Sequence, residues 1–265
     1  MINKIGLSTG CYYPRLTESI IKRIYESGVS LIELFINTHS EMSDSFIKEI
    51  QRQIDYYGIS VCSVHPFTSF AETYLFFSEY TKRFNDGIEI YDRYYEIANM
   101  LGAKIVNFHG MRSDHEVPFE KYCDCYGVLY QRARLAGVTL SQENVRQYVC
   151  GDMDYIKRFS KYMGEDVAFT FDVKQAHMSG YDPFDFIEAV SDKLKLIHLN
   201  DFDMDNPCLL PGNGCFDFRR FIKYLKTVSF CGNSIIEVYS GNYSDENEIH
   251  AAVNYIKNII KECCT

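Results

Sequence analysis

Seven ionisable residues, Glu33, His65, His109, Glu143, Asp172, His198 and Glu237, each stand at the end of an apolar, β-branched run. Successive members lie 32, 44, 34, 29, 26 and 39 residues apart. Carboxylates and imidazoles are the side chains that hold divalent cations, and carboxylates beside a cation can also exchange protons with a substrate. Glu143, Asp172, His198 and Glu237 make an oxygen-rich set with one imidazole, a donor mix that suits Mn²⁺, Zn²⁺, Co²⁺ or Mg²⁺. Adding His65 and His109 tilts the set toward zinc or toward a second ion. Gathering this many acids at one point without a cation would be costly, because like carboxylates raise one another's pKa and burial penalises each charge.

The elements that would gather them are legible as alternating patterns. Strand-like runs occupy residues 4–8, 30–35, 59–65, 103–109, 137–143, 167–172, 194–199 and 233–239. Between them lie stretches such as LTESIIKRIYESG, DSFIKEIQRQIDYYG and IYDRYYEIANMLGA, with apolar residues three and four apart and glycines Gly28, Gly58 and Gly102 at their ends. Eight strand–helix repeats in about 250 residues are the count for a closed (β/α)₈ TIM barrel, an α/β fold in which every strand end meets one rim. The expectation is a single domain over residues 1–265. An open doubly wound sheet is the rival, but no GxGxxG or Walker spacing follows the first strand.

Residues two before a strand-end ligand share its inward face, and in strands three to six these are Ser63, Asn107, Ser141 and Thr170. Such small polar groups can orient ligands by hydrogen bonding. The corresponding positions below His198 and Glu237 are Leu196 and Ile235, so the support would be one-sided.

With 46% apolar and 24% charged residues the composition is that of an ordinary globular protein. The formal net charge of −9 disfavours a nucleic-acid partner, which requires clustered Lys and Arg. Neither a long apolar leader nor a membrane span is visible, so the expectation is a soluble, cytoplasmic protein. The ten cysteines contain no CxxC pair and read as reduced structural thiols. The segment DFDMDN at 201–206 alternates aspartates like a calcium loop, but Asn206 stands where glycine is needed and Gly212 where glutamate is needed, so it reads as a solvated acidic loop.

The segments SVHPF (63–67), VNFHG (106–110), SQENV (141–145), FDVKQA (171–176), IHLNDF (197–202), LPGNG (210–214) and IIEVYS (235–240), in this order and over nearly the whole chain, resemble the xylose isomerase-like TIM-barrel superfamily. That superfamily contains sugar (phosphate) isomerases and epimerases together with AP endonuclease family 2 enzymes. The resemblance implies that Glu143, Asp172, His198 and Glu237 bind the shared metal. His65 and His109 match the histidines that serve an additional ion in the endonuclease branch. In the epimerase branch the glutamates matching Glu143 and Glu237 also exchange the substrate proton, and Glu33 matches an acidic position near the substrate pocket.

Two departures narrow the reading. Gln175 stands where the endonuclease branch has a third-metal histidine, and residues 200–214 contain no histidine. Asp203 and Met204 lie where the ketose epimerases tend to carry an arginine. The expected activity is a metal-dependent isomerase or epimerase acting on a small carbohydrate, sugar or sugar phosphate, through an ene-diolate with Glu143 and Glu237 as acid and base. The alternatives are a zinc-dependent phosphodiesterase and an inosose-type dehydratase. Glu33, His65, His109, Lys174, Gln175 and Phe67 are the expected substrate contacts, with Tyr12 and Phe35 as further pocket walls, while His177 is expected to begin the loop after strand six. A homo-oligomer is left open.

Overall fold

The computed structural model describes residue 2 and residues 4–264. All eight expected runs are strands: β1 Ile5–Ser8, β2 Leu31–Phe35, β3 Ser60–His65, β4 Ile105–Phe108, β5 Thr139–Glu143, β6 Phe169–Asp172, β7 Leu194–Leu199 and β8 Asn233–Ile236. Each pairs in parallel with its sequence neighbour, and β1 pairs with β8, so the sheet closes into a barrel. The larger helices between strands are α1 Thr17–Glu26, α2 Asp44–Tyr57, α3 Glu72–Phe76, α4 Thr81–Leu101, α5 Phe119–Leu135, α6 Met153–Met163, α7 Val173–Met178, α8 Pro183–Val190, α9 Phe218–Thr227 and α10 Glu246–Cys264. No helix among the described residues is long and apolar enough to cross a membrane.

Helix ends follow local chemistry. Gly58 and Gly102 terminate α2 and α4 in the left-handed region, at φ 65° and 74°, where a side chain would be strained. Helix α4 begins nine residues before its clearest amphipathic stretch. The connection between β3 and α4 carries α3, and α7 starts directly after β6 because Asp172 accepts a hydrogen bond from the Gln175 amide as its N-cap. His177 therefore lies in a helix, not at the start of a loop.

The barrel interior is layered. Leu31, Cys62, Ile105, Leu196 and Ile235 form an apolar cluster separate from the main core. Gly6 lies against it, and a Cβ there would come within 2.6 Å of the Ile235 side chain and of the Leu31 carbonyl. Above the cluster comes a polar layer. Ser63 donates to Glu33 Oε2 at 2.7 Å, Asn107 donates to the same oxygen at 2.6 Å, and Thr170 lies 2.8 Å from both Asn107 Oδ1 and Ser141 Oγ.

Outside the barrel the aromatic residues concentrate over β4 and β5. Tyr91, Tyr94, Tyr95, Tyr122, Tyr126, Phe76, Phe77 and Phe108 are fully buried there, and the hydroxyls of Tyr95 and Tyr126 donate to the carbonyls of Leu129 and Leu140. Buried tyrosines need such acceptors, since an unmet hydroxyl costs about 1–3 kcal/mol. Two of these rings reach the strand ends. Tyr122 donates to Gln142 Oε1, whose amide donates on to the His109 carbonyl at 2.8 Å, and Tyr91 donates to Glu72 Oε1.

Glu72, from α3, is wholly buried and its other oxygen accepts from the His109 and Gly110 amides at 2.8 and 2.5 Å. It thereby fixes the backbone that carries His109. Burial, offset in part by these bonds, pushes its carboxyl from an ordinary 4.5 up to about 8. A carboxyl raised on folding supports stability fully below its unfolded value and loses that support as pH rises through its folded value. Glutamine can keep an acceptor toward both amides without a charge. Urea unfolding across pH 5 to 9 should therefore show wild-type stability falling relative to Glu72→Gln as pH rises, with the two converging in acid.

Candidate metal centre

Parallel strands direct their carboxyl ends to one rim, and six of the seven strand-end residues converge there. His65, Glu143 and Asp172 are the last residues of β3, β5 and β6, His198 is the penultimate residue of β7, and His109 and Glu237 immediately follow β4 and β8. One ligand atom each from Glu143, Asp172, His198 and Glu237 falls within 4.8 Å of all the others. His198 Nδ1 is their common neighbour, 3.4 Å from Glu143 Oε1, 3.3 Å from Glu237 Oε2 and 3.9 Å from Asp172 Oδ2.

The donor set fits a divalent cation on three observations. His198 Nε2 lies 3.2 Å from Glu33 Oε2, so this nitrogen carries the proton shared with the carboxylate and Nδ1 is turned to the acidic oxygens. His198 Nδ1 and Glu143 Oε2 are buried yet lack a hydrogen-bond partner of sound geometry. The set also brings three carboxylates around one imidazole, with the Lys174 ammonium on two of them and Glu33 beneath, a surplus of negative charge that a divalent cation would offset. Burial alone would lower the His198 pKa, but Glu33, Glu237 and Glu143 raise it well above the usual histidine range. Glu143 is held well below the carboxylate range, burial being outweighed by His198, His109 and His65.

A second cluster shares Glu143. His65 Nε2, His109 Nε2 and Glu143 Oε2 form a triangle with sides of 3.1, 3.1 and 3.6 Å. Ligands about 2.0–2.1 Å from one tetrahedral zinc lie roughly 3.3 Å from each other, so the triangle has the dimensions of a zinc site. His65 Nδ1 lies 3.3 Å from the Pro66 carbonyl, which leaves Nε2 as the free nitrogen.

The other expected contacts divide. Phe67 lines a cavity of about 470 Å³ above the two clusters, together with Phe35, His65, Lys174 and Gln175. Phe35 stacks on His65 with ring centroids 4.3 Å apart. Gln175 also accepts from the Arg146 amide at 3.0 Å and so ties down the loop after β5. Glu33 is not a pocket residue. It lies two positions before the end of β2, one layer below the rim, fully buried under His198, and Phe35 takes the rim position instead. Tyr12 turns into the core, and its neighbour Tyr13 faces the cavity. His177 stacks on Phe202 at 3.6 Å, outside the cavity lining. In the acidic loop Asp203 caps its own turn, accepting from the Asp205 and Asn206 amides, while Asp201 accepts from those of Gly212, Gly214 and Phe216. A larger cleft of about 610 Å³ includes Arg15 and Arg23, both paired with Glu246, and none of the six rim ligands lines it.

Two asparagines that the strand-end pattern does not mark hold Asp172: Asn144, directly after Glu143, and Asn200, two residues after His198. Asn144 bonds both main-chain groups of Asp172, accepting from its amide at 2.6 Å and donating to its carbonyl at 3.0 Å. Asn200 donates to Asp172 Oδ1 at 3.1 Å. Together with the Gln175 amide, also at 3.1 Å, Asn200 occupies Oδ1 and leaves Oδ2 as the oxygen facing His198.

A closed (β/α)₈ barrel with carboxylates and imidazoles on its C-terminal rim defines a class of protein. Within that class the chain belongs to the xylose isomerase-like TIM barrel family, whose model matches residues 21–259. No curated protein is similar enough in sequence to count as a relative. Among solved structures the chain is similar to the apo form of 3-keto-D-glucoside 4-epimerase YcjR from E. coli, at 16% identity and TM-score 0.78, covering 96% of this chain and 99% of that one. It is also similar to D-psicose 3-epimerase from Clostridium cellulolyticum H10, solved with D-tagatose, at 14% identity and TM-score 0.80 over 97% and 99% of the two chains. A third is the IolI protein with a binding zinc atom, at 15% identity and TM-score 0.78 over 98% of each chain. At these identities the likeness is one of fold.

Replacing Glu33 by alanine leaves Ser63, Asn107 and His198 Nε2 without their shared acceptor. The expected outcome is a ~10–100-fold loss of divalent-ion affinity by calorimetric titration, the usual cost of removing an outer partner of a metal-bound histidine.

Proposed function

We propose that the protein is a divalent-metal-dependent sugar isomerase or epimerase in which Glu143, Asp172, His198 and Glu237 hold the ion and Glu143 and Glu237 handle the substrate proton. The observation that carries this reading is the placement of the two glutamates: their oxygens lie 3.4 and 3.3 Å from the same His198 nitrogen, and both residues line the cavity. Mn²⁺, Zn²⁺, Co²⁺ and Mg²⁺ all suit the donor set. A bound ion would polarise the substrate carbonyl and offset the charge of the ene-diolate. Glu237 is kept below the carboxylate range, burial being outweighed by His198 and Lys174, so it is ionised as a base must be. In an isomerase Glu237 would return the proton it took to the adjacent carbon; in an epimerase Glu143, ionised in the resting site, would first take up a proton from solvent and then deliver it to the opposite face of the carbon.

Phe35, Phe67 and Tyr239 wall the cavity and would exclude water from the reacting carbon. His65, His109, Lys174 and Gln175 line the same cavity and would contact substrate hydroxyls. Among the described residues Lys174 is the only lysine or arginine lining the cavity, and Arg112 is spent on Asp114 and Gln147. The lining therefore favours a neutral sugar over a sugar phosphate. By their names, the two epimerases described above agree with a keto-sugar substrate.

The decisive experiment follows loss of a carbon-bound hydrogen of keto-sugars in D₂O by NMR. Exchange should require added Mn²⁺ or Co²⁺, stop on chelation, and fall by ~10²–10⁴-fold in Glu237→Gln, the range supplied by a positioned acid or base. Wild-type exchange in that variant would remove Glu237 from the mechanism.

The His65–His109–Glu143 triangle favours a second reading, a zinc-dependent phosphodiesterase. Against it stand the net charge of −9, Gln175 at the third-metal position and the histidine-free segment 200–214. Metal analysis separates the two. In the sugar reading a His65→Ala, His109→Ala double variant retains one ion per chain, whereas hydrolysis of abasic-site DNA by wild-type protein would establish the alternative.

A further inference from the structure

Lys174 stands two residues beyond Asp172, in the first turn of α7, and is buried with a relative exposure of 3%. Its ammonium donates to Asp172 Oδ2 and to Glu237 Oε2, the latter at 3.1 Å. These are the two oxygens that face His198 Nδ1, at 3.9 and 3.3 Å. Asp172 has no other oxygen to offer, because Oδ1 is held by Asn200 and the Gln175 amide. An ion bound by Glu143, Asp172, His198 and Glu237 needs the same oxygens and would bring a second positive charge against the ammonium. The Tyr239 ring has its centroid 5.7 Å from Nζ and lines the cavity, so it offers the ammonium another seat within cation–π range.

We infer that Lys174 and the divalent ion compete for Asp172 and Glu237, so that metal loading transfers the Lys174 ammonium from the ligand carboxylates to the cavity, where it can receive a substrate oxygen. The inference rests on the reading of the four rim residues as cation ligands. Lys174 is then an internal counter-ion that spares the carboxylates mutual repulsion before loading, and loading sets a positive donor opposite the substrate. The exchange weakens net metal affinity and couples metal binding to the assembly of the substrate site.

Two measurements test this on the full chain. Chelator-competition titrations with Mn²⁺ and with Zn²⁺ compare wild type, Lys174→Met and Lys174→Gln. Removing the competitor should tighten binding within the ~5–150-fold range of typical site-to-site couplings. The second measurement needs no variant: amine acetylation of Lys174 in the wild-type protein, read by peptide mass spectrometry, should be several-fold faster with saturating Mn²⁺ than without, since coupling is reciprocal. Equal or weaker affinity in folded variants, or labelling that Mn²⁺ leaves unchanged or slows, overturns the competition and leaves the metal reading standing. Failure of wild type and both variants to bind either ion overturns both.

Discussion

The rim is organised by a histidine answered by carboxylates from both sides. Glu33 takes Nε2 of His198 from below, and Glu143, Asp172 and Glu237 surround Nδ1 from above. This sets the direction in which the imidazole presents its second nitrogen, and it does so through a carboxylate that is itself held by Ser63 and Asn107. The polar layer thus reaches the ligands through one residue. The apolar cluster beneath it includes Leu196, directly under His198 in the strand alternation. Hydrogen bonds supply the direction and packing supplies the stiffness.

Much of this was legible because a parallel barrel converts sequence period into position. The eight strands and the six converging rim residues follow from alternation and from the spacing of strand ends, both of which are local. What could not be read depended on depth and on side-chain reach. Glu33 has the same sequence surroundings as a rim residue, but β2 continues two residues beyond it, which lowers it by one layer. Nothing in the pattern distinguishes a Lys174 that points to solvent from one that folds back onto Asp172 and Glu237. Asn144 and Asn200 sat in plain view beside their ligands, yet their bonds run to the neighbouring strand, and only the three-dimensional pairing shows it.

The aromatic sector over β4 and β5 is the other non-local part. Tyrosines 91 and 122 send their hydroxyls to Glu72 and Gln142, and both of these hold the main chain at His109. The chain contains no tryptophan, and these tyrosines combine a large buried ring with a polar tip that reaches past the core. The histidine face of the site is therefore braced by the outer helices α3, α4 and α5, while the carboxylate face is braced by strand-to-strand asparagines.

Asn144 grips the amide and the carbonyl of Asp172 together, so neighbouring β5 and β6 carry Glu143 and Asp172 as one piece, and His198 is pinned to the same piece through the β6–β7 ladder. Glu237 differs: it follows the end of its strand, and its side chain retains 16% exposure where the other three retain 3% or less. Three sides of the cluster are thus buried side chains, and the fourth is a partly exposed one. Under the proposed function, ions of different radius would be accommodated chiefly by the glutamate after β8, so the choice of metal and the position of the proposed proton-transferring carboxylate would be one variable.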